Sequence, residues 1–163
     1  MSESWEQFPG SELYLDTMIF YAFLRGLGSS VCELFDRIEL GELQAYTSVL
    51  TFDELTYRTL LALIRDRYTG SPLERLRDQE TEMIAEFYAQ LAPHLHRLRT
   101  FPNLFLIDVT SSDLEKMDRI ISAYHLRPRD ALHLAAMEKC GCLNLVSNDS
   151  DFDRIPDISR YHL

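Results

Sequence analysis

Short apolar runs alternate along this chain with longer stretches whose apolar residues recur at helical spacing. "ELYLDTMIFYAFL" opens as a strand ending near Asp16, with a helix from Met18 behind it, and "SSVCELFDRIELGE" reads as a helix stopped near Gly41. "LQAYTS" predicts a second strand, and "VLTFDELTYRTLLALIRDRYTG" a long helix closed by Gly70. "SPLERL" restarts a helix with Ser71 as N-cap, Pro72 at the first helical position and Glu74 at capping-box spacing. The same pattern runs on through "QETEMIAEFYAQLAPHLHRL", where Pro93 is expected to end or kink the helix. "LFLIDV" predicts a third strand and "CLNLVSND" a fourth, with a short last strand in "ISRYHL". Between them lie two helices, "SSDLEKMDRIISAYHL", with Ser112 and Glu115 at capping-box spacing, and "RPRDALHLAAMEKCG".

Strands separated by helices need crossover connections and therefore pair in parallel. The pattern predicts an α/β three-layer sandwich, with a mostly parallel central sheet of four to five strands and helices on both faces. Residues 1–11 read as an N-terminal extension and 12–163 as one domain, without repeats, low-complexity tracts or an interdomain linker.

Folds of this class carry their sites beyond the carboxyl ends of the strands, where this chain gathers acids. Asp16 follows the first strand, Glu54 stands near the start of the helix after the second, Asp130 is in the first turn of the helix leading to the fourth, and Asp149 and Asp151 follow that strand. Each has a local explanation. Asp16 suits a helix cap, Glu54 stands three residues after Thr51 at capping-box spacing, Asp130 complements a helix dipole, and Asp149 suits an Asx turn. Their joint order is what points to a site. Oxygen donors from four segments, with no Cys or His cluster competing, suit Mg²⁺ or Mn²⁺.

Composition narrows the partners. The 163 residues, 46% hydrophobic and 26% charged, are ordinary for one globular domain. No apolar run has the length of a membrane span and the N-terminus lacks a signal pattern, so a cytoplasmic protein is expected. Cys32, Cys140 and Cys142 do not form zinc-like spacing. The net charge of −10 argues against tight, indiscriminate binding of nucleic acid, yet it is compatible with acids concentrated where divalent cations sit.

"LYLDTMIFYAFL", "TSVLTFDEL" and "RPRDALHLAAMEKCGCLNLVSNDSDFDRI", with the spacing between them, resemble a PIN domain, and closely the VapC-type toxin nucleases of prokaryotic toxin–antitoxin systems. The resemblance covers residues 12 to 158. It implies a PIN-like sandwich and a metal-dependent ribonuclease using Mg²⁺ or Mn²⁺, with Asp16, Glu54, Asp130 and Asp149 as the catalytic, metal-holding carboxylates. Asp151 and Asp153 match positions where similar sequences vary in which acid approaches the metal. Thr17 and Ser147 would orient a carboxylate or a water, and Arg25, Arg58, Arg127 and Arg129 are candidates to contact RNA phosphates. Two departures stand out: Ser147 where the family often has Thr, and Met18 where it often has Asn or Ser. Neither deletes a carboxylate.

The toxin likeness also implies a small antitoxin partner, one whose arginine would bridge the carboxylates. The region from Ser71 to Arg99 looks longer than in compact relatives and reads as an extended helical arm. Apolar positions in "YRTLLALIRDRY" and "EMIAEFYAQL" exceed what one sheet face can cover, so a homodimer is expected, unless these helices pack on each other within one chain. Two other readings remain. One is a catalytically inactive PIN-like interaction module, against which all four acids stand. The other is an aspartate phosphotransfer or receiver domain. For that reading "LDTMI" lacks a second aspartate and neither Lys116 nor Lys139 lies at a strand end.

Overall fold

A computed structural model describes residues 3–163. Six strands form one sheet, β1 (Glu3–Ser4), β2 (Glu12–Leu15), β3 (Gln44–Ser48), β4 (Leu104–Ile107), β5 (Asn144–Val146) and β6 (Ser159–His162). The order is β1-β6-β5-β2-β3-β4 with every pairing parallel, one strand more than the upper expectation. The extra strand is β1, which joins β6 from within the segment read as an extension, and Trp5 behind it is fully buried. Its indole donates to Ser30 Oγ at 2.6 Å.

The α-helices among the described residues are α1 (Thr17–Arg25), α2 (Ser29–Glu39), α3 (Leu50–Arg67), α4 (Pro72–Asp78), α5 (Glu80–Arg99), α6 (Ser111–Tyr124) and α7 (Pro128–Cys140). Strand alternation sorts the core into two layers. Leu13 and Leu15 of β2 face one cluster with Ile19, Phe20, Phe35 and Leu55, whereas Tyr14 between them faces the other with Ile120, Leu134 and Met137. Helices α1 to α5 therefore cover one face and α6 and α7 the opposite one.

Local signals placed the helix ends with three corrections. The break in the long arm falls at Gln79, between α4 and α5, and not at Pro93, which lies inside α5. Ser71 does accept from the Glu74 amide, at 3.3 Å. The cap of α6 is Thr110 with Asp113, whose carboxylate takes the Thr110 amide at 2.7 Å, so the Ser112–Glu115 pair is two residues out of register. Lys139 on α7 adds a 3.1 Å ion pair to Asp113, fastening the two helices of that layer. In α3, the helix already starts at Leu50, so Thr51 is inside it and shares a 2.7 Å hydrogen bond with Thr47. Glu54 is thereby free of any capping duty.

Most apolar residues of the arm are absorbed within the chain. Met83, Phe87, Leu91, Leu95 and Leu98 of α5 are buried in the same cluster as Leu60 and Ile64 of α3 and Leu76 of α4. Tyr57, Leu73, Ile84 and Tyr88 stay exposed.

Candidate active site

Strand β2 sits at the switch point of the sheet, with β3 on one side and β5 on the other, and chains leaving a switch point open a crevice at the carboxyl ends. The Asp16 amide donates to Val146 O at 3.1 Å, tying the ends of β2 and β5 together there. A cleft of about 1370 Å³ opens at this point. Asp16, Glu54, Asp130 and Asp149 all line it, with Arg58, Arg127 and Arg129 among them and Met18, Tyr21 and Leu27 on an apolar wall.

Asp16 has two duties. One oxygen caps α1 by accepting from the Thr17 amide at 2.6 Å, and the other accepts from Ser147 Oγ at 2.7 Å. Burial raises its carboxyl above the ordinary range, against the opposing pull of His133 and of these hydrogen bonds. Thr17, fully buried, turns its hydroxyl to Glu54 at 3.0 Å, while Arg58 one turn further along α3 donates to the other Glu54 oxygen at 2.9 Å. Burial alone would lift the Glu54 carboxyl, but the Arg58 hydrogen bond and charge, with the Thr17 hydroxyl, hold it below its usual value.

Asp130 differs from both. Pro128 starts α7 and places Asp130 in its first turn, and one of its carboxylate oxygens is buried with no hydrogen-bond partner. Burial pushes its carboxyl up to about 6, helped by the charges of Asp149 and Asp16 and opposed by Arg127. Beyond β5, Ser147 accepts the Asp149 amide at 3.0 Å and Asp149 accepts the Asp151 amide at 2.9 Å, the Asx turn anticipated from sequence. Oxygen atoms of Asp130, Asp149 and Asp151 lie within 4.8 Å of one another.

Those residues fit a hard divalent cation: three acids converge without Cys or His, and a buried oxygen of Asp130 lacks any donor. Asp151 comes to this group already paired with Arg154. Asp153 does not; it forms a two-pronged ion pair with Arg160 at 2.7 and 2.9 Å and lines a separate, smaller depression. Arg25 is likewise outside the cleft, bound to Asp66 at 2.5 Å. Arg129 sits at the rim, 3.3 Å from Asp53.

Sequence reasoning missed Arg154, Arg160 and the buried pair of Tyr14 and His133, whose ring nitrogen Nδ1 lies 2.9 Å from the phenol oxygen. Arg154 follows Asp151 by three residues, a spacing that a charge-pairing scan of the short 3-10 turn would find. Tyr14 and His133 are 119 residues apart and leave no local signal.

The PIN domain family model matches residues 13–158, and the chain belongs to that family. Solved structures of the same fold include VapBC2 from Rickettsia felis bound to a DNA fragment from their promoter. It shows 15% identity and a TM-score of 0.56, with 93% of this chain and 98% of that one covered. They also include VapC20 of Mycobacterium tuberculosis, a sarcin-ricin loop cleaving toxin, at 16% identity and a TM-score of 0.57, with 88% and 95% covered. No curated protein sequence matches the chain at a significant level.

The unpaired oxygen makes a stability prediction. With the folded carboxyl of Asp130 at about 6 against an ordinary 3.8, folding favours its protonated form. The associated stability is complete below pH 3.8 and is lost as the pH rises through about 6. Such a displacement sets a ceiling of about 3 kcal/mol, which partial solvent access reduces to the order of 1 kcal/mol. Asp130→Asn, which mimics the protonated form, should therefore be the more stable protein in urea at pH 8 with EDTA and equal to wild type below pH 4. Equal midpoints at pH 8 would show that the carboxylate is not destabilised where it stands.

Proposed function

We propose that this protein is a metal-dependent endoribonuclease, the toxin component of a toxin–antitoxin pair, acting in the cytoplasm through a single domain in which β1 and Trp5 join the sheet and core built by 12–163. The observation that carries the reading is the convergence of Asp16, Glu54, Asp130 and Asp149 on one cleft together with the donor-free oxygen of Asp130. Four acids so placed repel a phosphodiester, and only added positive charge makes the cleft serviceable. Asp16, Asp130, Asp149 and Glu54 would hold Mg²⁺ or Mn²⁺, with Asp151 beside them, and the ion would supply electrophilic stabilisation of the phosphate and activation of water.

The chain's own groups do the remaining work. Ser147 and Thr17 fix the orientation of Asp16 and Glu54, so these carboxylates keep their directions without spending conformational freedom when RNA arrives. In the metal-free chain burial and the charges of Asp149 and Asp16 hold the Asp130 carboxyl up near 6, and a bound cation would take the place of that proton. Arg127 and Arg129 stand on the rim, where a guanidinium fork suits backbone phosphates; Arg58 is committed to Glu54. The catalytically silent interaction module has no specific observation in its favour.

Cleavage of an RNA substrate should require Mg²⁺ or Mn²⁺ and be abolished by EDTA. Asp16→Asn and Asp130→Asn should each slow it by at least about 100-fold. Asparagine caps a helix as well as aspartate does, so Asp16→Asn should retain the circular dichroism of the folded chain. Undiminished cleavage in either variant would remove that residue from the site.

The dimer now rests on the residues that α3, α4 and α5 leave outside, Tyr57, Leu73, Ile84 and Tyr88, since the rest of their apolar surface is used within the chain. Sedimentation at micromolar concentration should show twice the 19.0 kDa chain mass, and Tyr88→Glu should return it to one chain. A single-chain species in wild type would reject the dimer.

A basic antitoxin is favoured electrostatically by the charge of −10 and by carboxylates that otherwise repel one another. Its arginine would bridge two of them in a bidentate manner and compete with the metal. Inhibition by the cognate partner should weaken as Mg²⁺ rises, and its binding should weaken in Asp149→Asn or Glu54→Gln. Inhibition indifferent to Mg²⁺ and binding unchanged in the variants would place the block away from the carboxylates.

A further inference from the structure

Ser147 is the residue through which the two strand-end acids are joined, and it is completely buried. Its hydroxyl donates to Asp16 and accepts from the Asp149 amide, so any rotation of residue 147 moves both. A side chain cannot hold that position unless its own backbone is held. The Ser147 amide donates to Tyr161 O on β6 at 2.9 Å, and its carbonyl accepts from Arg160 Nη1 at 2.9 Å. The side chain of Arg160 is 8% exposed, and its two remaining faces, Nε and Nη2, are taken by the two oxygens of Asp153.

From this arrangement we infer that Arg160 is a positioning residue for the active site, and that Asp153 serves it by fixing the guanidinium against the Ser147 carbonyl. Asp153 comes from the turn that also carries Asp149 and Asp151, so the pair closes a loop. The turn after β5 is pinned to β6 at residue 147 by the arginine and at residue 153 by the aspartate. Lysine could not reproduce all three bonds, because its donors share one nitrogen and lack the planar fork that meets both Asp153 oxygens and the Ser147 carbonyl together. Surface ion pairs of ordinary exposure contribute little, but this guanidinium is shielded and makes three hydrogen bonds, which places it among the stronger class. Neither residue lines the cleft.

The inference rests on the nuclease reading for its rate readout, but two of its three readouts do not need RNA. In the metal-free protein, hydrogen exchange of the Asp149 amide reports the Ser147 bond directly. Titration with Mn²⁺ alone reports the carboxylates, and single-turnover cleavage separates rate from RNA affinity. Arg160→Met should speed Asp149 exchange at least about 10-fold, weaken Mn²⁺ binding about 10-fold and lower the maximal single-turnover rate about 10-fold with the half-saturating RNA concentration unchanged. Asp153→Ala should do the same to a smaller degree, and the double variant should be no worse than Arg160→Met, because Asp153 acts only through the arginine. Arg160→Lys should not restore wild-type values. Arg77→Met, which removes an exposed ion pair on α4, should leave all three readouts unchanged.

Should Arg160→Met fail to fold, Asp153→Ala and Arg160→Lys carry the comparison. Folded variants with wild-type Asp149 exchange and Mn²⁺ affinity overturn the inference, as do losses that simply add in the double variant. Wild-type protein that binds Mn²⁺ but cuts no RNA would count against the nuclease reading and leave the positioning result standing on exchange and affinity.

Discussion

Carboxylates brought together at the end of a parallel sheet repel one another, and nearly every polar contact in this part of the molecule serves to offset that repulsion. Glu54 is held by Arg58 and Thr17, Asp151 by Arg154, and Asp16 by the hydroxyl of Ser147 and the amide of Thr17. Asp130 is the exception. It stands in the combined field of Asp149 and Asp16 with a buried oxygen that no protein donor reaches. A group left in that condition costs stability in the metal-free chain, and the cost has a rationale where a cation completes the arrangement.

Several acids that line the cleft are at the same time structural groups. Asp16 caps α1 with one oxygen and reaches across to β5 with the other. Asp149 opens a 3-10 turn by accepting the Asp151 amide while its own amide is held by Ser147. Glu54 goes the other way: its capping-box spacing from Thr51 is accidental, because α3 starts earlier and Thr51 bonds Thr47 instead.

The two faces of the sheet contribute unequally. Helices α6 and α7 are fastened by the Asp113–Lys139 pair and present Asp130 from one side, while α1 and α3 present Thr17, Glu54 and Arg58 from the other. The long arm of α4 and α5 adds no acid to the cleft. It extends the larger core layer and leaves a few aromatic and aliphatic side chains outside.

The periodicity of the chain determined much by itself. The strand and helix order implied parallel pairing, strand-end position gathered Asp16, Glu54, Asp130, Asp149 and Asp151, and the PIN resemblance narrowed these to the first four. The first two are consequences of backbone geometry, which acts over a few residues and so leaves its mark in a few residues. Other features were decided only when distant segments met. Asp153 turned toward Arg160, Arg25 toward Asp66, Tyr14 toward His133, and Glu3–Ser4 paired with β6. Which acid keeps a free oxygen and which receives an arginine depends on burial and on charges arriving from elsewhere in the chain. Desolvation and Coulomb energy depend on distance in space, and separation along the sequence does not encode it.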